Sequence, residues 1–169
     1  MRVLVTGDTH VPDFTRALPP GLDPHLEWAE VILHTGDATS AATLEQLAIS
    51  APVHAALGNI DPPEVADWGA RPEVELVLDG VPVAIVHDAG PRRGREARLR
   101  GRFPRARVVA FGHSHDPLVE EHDGVLLLNP GSPTWKRRAP RPTVIRMETA
   151  RGEVRAELVD LASDRPRSR

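Results

Sequence analysis

The chain alternates short apolar runs with polar stretches rich in glycine and proline. Residues 2–6 read RVLVT, residues 31–34 read VILH and residues 53–57 read VHAAL. Apolar runs of this length between turn residues predict buried strands over Arg2–Thr6, Val31–His34 and Val53–Leu57. Within Pro20–Glu30, Leu22, Leu26 and Ala29 recur at helical spacing. Ser40 stands as an N-cap before AATLEQLAI, which carries one apolar stripe at a period of 3.6. The order β-α-β-α-β predicts parallel strands joined by right-handed crossovers.

After Asp61-Pro62-Pro63 the pattern changes. Glu73–Leu78 and Val81–His87 flank Asp79-Gly80, a hairpin signal. Arg93–Arg102 has the composition of an exposed helix. Arg107–Phe111, Val125–Leu128, Thr143–Met147 and Val154–Leu158 are further strands, and Asp123-Gly124 and Arg151-Gly152 mark antiparallel hairpin turns. The elements predict an α/β sandwich of two packed sheets with helices outside. Residues 1–162 are expected to form one domain, and the polar residues 163–169 a frayed tail.

Composition narrows the chemistry. The 169 residues contain no cysteine. Disulfides, thiolate catalysis and sulfur-held zinc are excluded, so any metal must be held by His, Asp, Glu or Asn. A net charge of −3 excludes the chain as a whole from binding polyanions, and nucleic-acid contact would have to be local. No apolar stretch approaches the roughly 20 residues of a membrane span. A cytoplasmic protein without membrane partners is expected. Basic charge is nearly all arginine, Lys136 being the single lysine.

The polar residues that follow the strands suggest what the fold carries. Asp8 and His10 follow the first strand in GDTH, Asp37 follows the second in HTGD, and Asn59 follows the third in LGNID. His87 ends the strand from Val81, and His113 and His115 follow Phe111 in FGHSH. In α/β sheets, sites form outside the carboxyl ends of strands. Side chains two apart in extended chain share a face, so His-x-His can aim two rings at one cleft. Seven candidate ligands exceed what one metal takes while leaving room for substrate, and they suit two metals that share a carboxylate.

The order D-x-H, GD, GN, H, GHSH resembles that of the calcineurin-like metallophosphoesterases. The similarity is greatest to their small bacterial and archaeal phosphodiesterases, which also carry NPGS, here Asn129–Ser132. The resemblance spans Met1 to about Pro142. It implies a four-layer αββα sandwich of two mixed β-sheets flanked by helices. It implies one divalent ion on Asp8, His10, Asp37 and His115, and a second on Asp37, Asn59, His87 and His113, with Asp37 bridging. The implied activity is phosphodiester hydrolysis by a metal-bridging hydroxide, with Asp37, Asn59 and His87 as catalytic residues. Two dications, two carboxylates and one hydroxide sum to +1, which attracts a singly charged diester.

Manganese is the metal the resemblance favours; the oxygen and nitrogen donors also fit iron, zinc, nickel or cobalt. The implied partner is a small phosphoester, with nucleic acid and homo-oligomers as further possibilities. Two alternatives stand beside this reading. One is a phosphomonoesterase or nucleotidase on the same site. The other is a non-catalytic scaffold like the vacuolar protein sorting 29 subunit of retromer.

Two departures from the family pattern stand out. Ile60 occupies the position after Asn59 where many members carry a proton-donating histidine, although the small phosphodiesterases lack it too. Asp88 follows His87 where the family has glycine, so it either orients His87 or serves a turn. His34 reads as structural or as support for Asp37, His54 as packed, and His25 and His122 as surface residues. Trp28, Trp68 and Trp135 suit core edges. The run PRRGREARLRGRFPRAR reads as a solvated helix face, or else as a basic rim that steers phosphates.

Overall fold

The computed structural model describes residues 1–162, so the expected tail at 163–169 lies outside the described residues. Strands β1 (Arg2–Thr6), β2 (Val31–His34) and β3 (Val53–Ala55) run parallel. Strand β9 (Thr143–Ala150) pairs antiparallel with β1, and β10 (Glu153–Asp160) with β9, giving the order β10-β9-β1-β2-β3. The second sheet has the order β4-β5-β6-β8-β7. It comprises β4 (Glu73–Leu78), β5 (Val81–Val86), β6 (Val108–Phe111), β7 (Leu118–His122) and β8 (Val125–Asn129). There β5, β6 and β8 are parallel, and the two edge strands pair antiparallel through hairpins. Both sheets are therefore mixed.

Strand alternation builds the layers. Val3, Val5, Val31 and Leu33 face the other sheet and meet Val83, Ile85, Val108 and Ala110 in a dry inter-sheet core. Leu4 and Ile32 point the opposite way, toward Leu26 of α1 (Asp23–Trp28), Leu44 and Leu47 of α2 (Ala41–Ala48), and Val65 of α3 (Pro63–Trp68). On the far side, Ala84, Val86, Val109 and Phe111 pack on Leu99 and Phe103, from α4 (Arg95–Arg102) and the residue after it. The order helix, sheet, sheet, helix is the expected αββα sandwich. Among the described residues no helix is long and apolar enough to cross a membrane.

Local departures have local causes. The segment Pro20–Glu30 is a 3-10 turn at Pro20–Leu22 followed by the short α1. It ends at Ala29 because Glu30 N–H donates to Arg2 O at the start of β1. The third strand is shorter than Val53–Leu57, since Ala56 makes only a single bridge, to Arg71. Helix α3 begins at Pro63, where a missing N–H costs nothing, and its pattern was hidden by the double proline. Ser40 caps α2 as its sequence predicts, accepting from Thr43 N–H at 3.3 Å.

Candidate metal centre

The carboxyl ends of β1, β2, β3, β5 and β6 meet on one side of the sandwich. The backbone there is unusual. Asp8, His10, Asp37, His113 and His115 have φ of 49°, 49°, 56°, 67° and 56°. Residues with a Cβ seldom occupy this left-handed region, and each such residue costs on the order of 1 kcal/mol or more. The strain turns successive side chains out of strand alternation and into one pocket.

Asp8, His10 and His115 offer ligand atoms that all lie within 4.8 Å of one another, as do Asp8, Asp37 and His87. Asp37 Oδ2 lies 3.4 Å from His87 Nε2 and 4.0 Å from His10 Nε2, between the two sets of histidines. Asn59 Oδ1 lies 3.0 Å from His87 Nε2 and 2.9 Å from His113 Nδ1. All seven predicted side chains thus gather. Asp8, His10, Asp37, His87 and His115 are buried, while Asn59 is exposed and His113 half-exposed. The cluster is closed on the Asp8 side and open on the Asn59 side.

The ring nitrogens are set by backbone acceptors. His87 Nδ1–H donates to Thr35 O at 2.8 Å, and His115 Nδ1–H donates to Trp135 O at 2.5 Å. Each ring therefore turns its Nε2 inward, toward the carboxylates. His115 Nε2 stands 3.1 Å from His10 Nε2 and 3.3 Å from Asp8 Oδ1, an oxygen buried without a hydrogen-bond partner in the protein. Buried acceptors aimed at one another are costly unless a cation lies among them. On this observation the residues present fit divalent metal, with oxygen and nitrogen donors only.

The electrostatics agree. Burial lowers the pKa of His10 despite the opposing charges of Asp8 and Asp37, and the charge of Arg137 adds to the lowering. Burial works against charge on His87 too, but the hydrogen bond to Asp37 and the charges of Asp8 and Asp37 outweigh it and raise its pKa. Burial would raise Asp37, yet the bond and charge of His87 and the Ile60 N–H hold it low. A proton between Asp37 and His87 thus competes with metal, so metal affinity falls as pH falls.

Glycine is required where loops cross. A Cβ on Gly58 would come within 1.9 Å of Asp37 Oδ1. Gly36 has φ +101°, and its Cβ would come within 2.6 Å of His87 Nδ1.

Several contributors carry no signature in the sequence. Asp61 ties two loops together: its carboxylate accepts from Gly58 N at 2.7 Å, Asp37 N at 3.1 Å and Thr39 N at 2.8 Å. Only its place two residues after Asn59 could have pointed to it. Losing three charge-assisted bonds of this kind costs about 2–4 kcal/mol. Asp61→Ala is expected to lower Tm by several degrees and weaken metal binding at least tenfold, measured by thermal unfolding and by competition with a metal-sensitive dye. Unaltered affinity would contradict the clamp.

The NPGS segment is a second clamp. Asn129 Nδ2 donates to Gly112 O at 3.2 Å, and Ser132 Oγ donates to Asp8 O at 2.7 Å. It fixes the GHSH loop against the Asp8 loop.

The remaining polar residues sort themselves by contact. His34 is fully buried, 3.1 Å from Thr9 Oγ1, and its Nδ1 accepts from Gly36 N at 3.2 Å. Burial pushes its pKa down to about 4. The unfolded chain then binds the extra proton between the ordinary histidine value, about 6.5, and 4, so stability falls as pH drops through that window, by up to roughly 3 kcal/mol. In chelator, His34→Asn is expected to lose less unfolding free energy between pH 7 and pH 5 than wild type. Equal losses in urea titrations would contradict this.

Asp88 does not reach His87. Its Oδ1 accepts from Gly90 N at 2.7 Å, a turn role. His54 is half-buried, and His25, expected at the surface, is buried on the inner face of α1. Within the arginine run, Arg98 donates to Ala89 O and Pro91 O, Arg100 pairs with Asp123, Arg102 with Glu73, and Arg107 donates to Gly152 O. Arg95 lies over the Phe111 ring at 4.8 Å. These contacts favour a structural helix face over a phosphate-steering rim.

Comparison with known proteins places this arrangement. Residues 1–152 match the profile of the calcineurin-like phosphoesterase superfamily domain. A probable metallophosphoesterase of Methanothermobacter thermautotrophicus is 35% identical over 153 residues, 88% of this chain and 87% of the relative. Another, from Methanocaldococcus jannaschii, is 30% identical, covering 95% and 82%. The chain belongs to the calcineurin-like phosphoesterase superfamily. Within it, the fold is similar to vacuolar protein sorting 29 of Cryptosporidium parvum, with a TM-score of 0.76 at 20% identity over 94% of this chain and 96% of that one. It is also similar to a solved archaeal phosphodiesterase, with a TM-score of 0.72 at 22% identity over 94% and 100%. At these identities the likeness concerns the fold.

Proposed function

We propose that the protein is a dinuclear metal-dependent phosphodiesterase. In this reading Asp8, His10, Asp37 and His115 hold one divalent ion. Asp37, Asn59, His87 and His113 hold the other, and Asp37 bridges. The supporting observation is the convergence of buried ligand atoms on one point, with Asp8 Oδ1 left without a hydrogen-bond partner 3.3 Å from His115 Nε2 and Asp37 Oδ2 between His10 and His87. When bound, the ions supply an activated water and positive charge for the phosphoryl oxygens. Manganese is the proposed metal; a Vps29 of Entamoeba histolytica with this fold has been solved with zinc.

The chain's own residues do the rest. Thr35 O and Trp135 O fix the rings of His87 and His115, so no reorganisation is needed on binding. Asn59 and His113 line the open side and are placed to touch the phosphate of an incoming ester. Only Asp8 and Asp37 bring negative charge to the proposed ligand set, which keeps the loaded site attractive to a monoanion.

The test is a panel of phosphomonoesters, diesters, cyclic nucleotides and short nucleic acids offered to manganese-loaded protein of known metal content. Bis(p-nitrophenyl) phosphate is expected to give a higher kcat/KM than p-nitrophenyl phosphate. The reverse order would make the protein a monoesterase, and inertness with both ions in place would leave a scaffold.

A further inference from the structure

We propose that the cleft beside His115 is a subsite for a second phosphate group, read by Arg137 and Arg138. The substrates are then nucleotide diesters that carry another phosphate one nucleoside away from the scissile one. The inference rests on the phosphodiesterase reading and names its substrate class.

The cleft has a volume of about 740 Å³, and Ser114, His115, Asp116, Trp135, Arg137 and Arg138 are among its lining residues. The buried His115 borders both the cleft and the candidate metal centre, and Arg137 of the cleft donates to the backbone of His113, so the two lie side by side. The volume lies within the range of small-ligand sites and leaves room for a nucleoside between the two phosphates.

Arg137 is held in place before any ligand arrives. Its Nη1 donates to His113 O at 3.1 Å, and its guanidinium lies 4.7 Å from the centre of the Trp135 ring. Its backbone has φ +48°, a conformation that is costly for arginine and is kept here next to the site. A guanidinium has five N–H donors in a planar fork that matches phosphate oxygens two at a time. The contact to His113 uses one of them.

The neighbouring groups decide what the cleft selects. Lys136, next to Arg137 in the chain, is turned aside, its Nζ donating to Ala139 O at 3.0 Å. Asp116 contributes one exposed carboxylate against the two arginines, so the cleft keeps a positive balance. Trp135 is no free platform for a base, because Phe14 stacks on it at 4.4 Å and 8° while Arg137 covers it as well. The cleft therefore reads charge and tolerates any base.

The experiment compares two esters that release the same p-nitrophenolate: thymidine 5′-(p-nitrophenyl phosphate) and the same compound with a 3′-phosphate. The 3′-phosphate is expected to raise kcat/KM about tenfold or more at low salt, chiefly through KM. In R138A and in R137A/R138A the ratio falls to near one, while R137K keeps part of it. Isothermal titration of manganese-loaded protein with thymidine 3′,5′-bisphosphate and thymidine 5′-monophosphate is expected to show the same preference and the same loss.

A ratio of one in wild type, or a ratio unchanged in R137A/R138A, overturns the proposal. If R137A slows both esters equally, Arg137 serves the scissile phosphate and the subsite is refuted. If neither ester is cleaved, the phosphodiesterase reading fails, and the titration alone then decides whether the second phosphate is bound.

Discussion

Replacing Asp37 by asparagine is expected to lower kcat/KM for an aryl phosphodiester by at least about 10³-fold, or roughly 4 kcal/mol of transition-state stabilisation. Asp37 is 2% exposed and lies between His10 Nε2 and His87 Nε2. Its Oδ1 accepts from Ile60 N at 3.2 Å, a bond that the asparagine oxygen can keep. The variant therefore removes one charge and the ability to bridge two cations, with little change in packing. Elemental analysis of the folded variant is expected to find at most one tightly held ion per chain. A variant that keeps two ions and a rate within tenfold of wild type would show that Asp37 does not bridge.

A steep dependence on the leaving group is the second large effect. From aryl to alkyl diesters, kcat/KM is expected to fall by about 10³-fold or more, because a positioned general acid contributes 10²- to 10⁴-fold and, among the described residues, Ile60, Asp61 and Asp88 beside the proposed ligands do not supply one. Ile60 carries no transferable proton, and its backbone N–H is directed at Asp37. The Asp61 carboxylate accepts three backbone N–H groups, and Asp88 is engaged by Gly90 N. The measurement is a plot of log kcat/KM against leaving-group pKa across substituted phenyl and alkyl esters. A flat plot would mean that an unrecognised proton donor reaches the leaving oxygen.

The gathered residues were legible in the sequence because each follows a strand whose apolar run is plain. Val3, Val5, Ile85 and Val108 carry the strand pattern, and once they align in parallel, the residues after their ends must meet. Boundaries were less legible where tertiary contacts decide them. Helix α1 stops where Glu30 joins β1, and α3 starts behind two prolines. Asp61 acts on backbone groups, a role with no spacing signature, whereas the NPGS run marks Ser132 but not the contact it makes with Asp8 O. His25 reads as polar from sequence but is buried by the packing of α1. The Asp88 carboxylate, adjacent to His87 in the chain, is drawn into a turn by Gly90.

The ion pair is tested most directly by electron paramagnetic resonance of the full chain titrated with manganese, alongside elemental analysis. Two ions per chain with an exchange-coupled spectrum are expected, and D37N should lose the coupling. Saturation at one ion, or two ions with independent spectra, would contradict a carboxylate-bridged pair at Asp37.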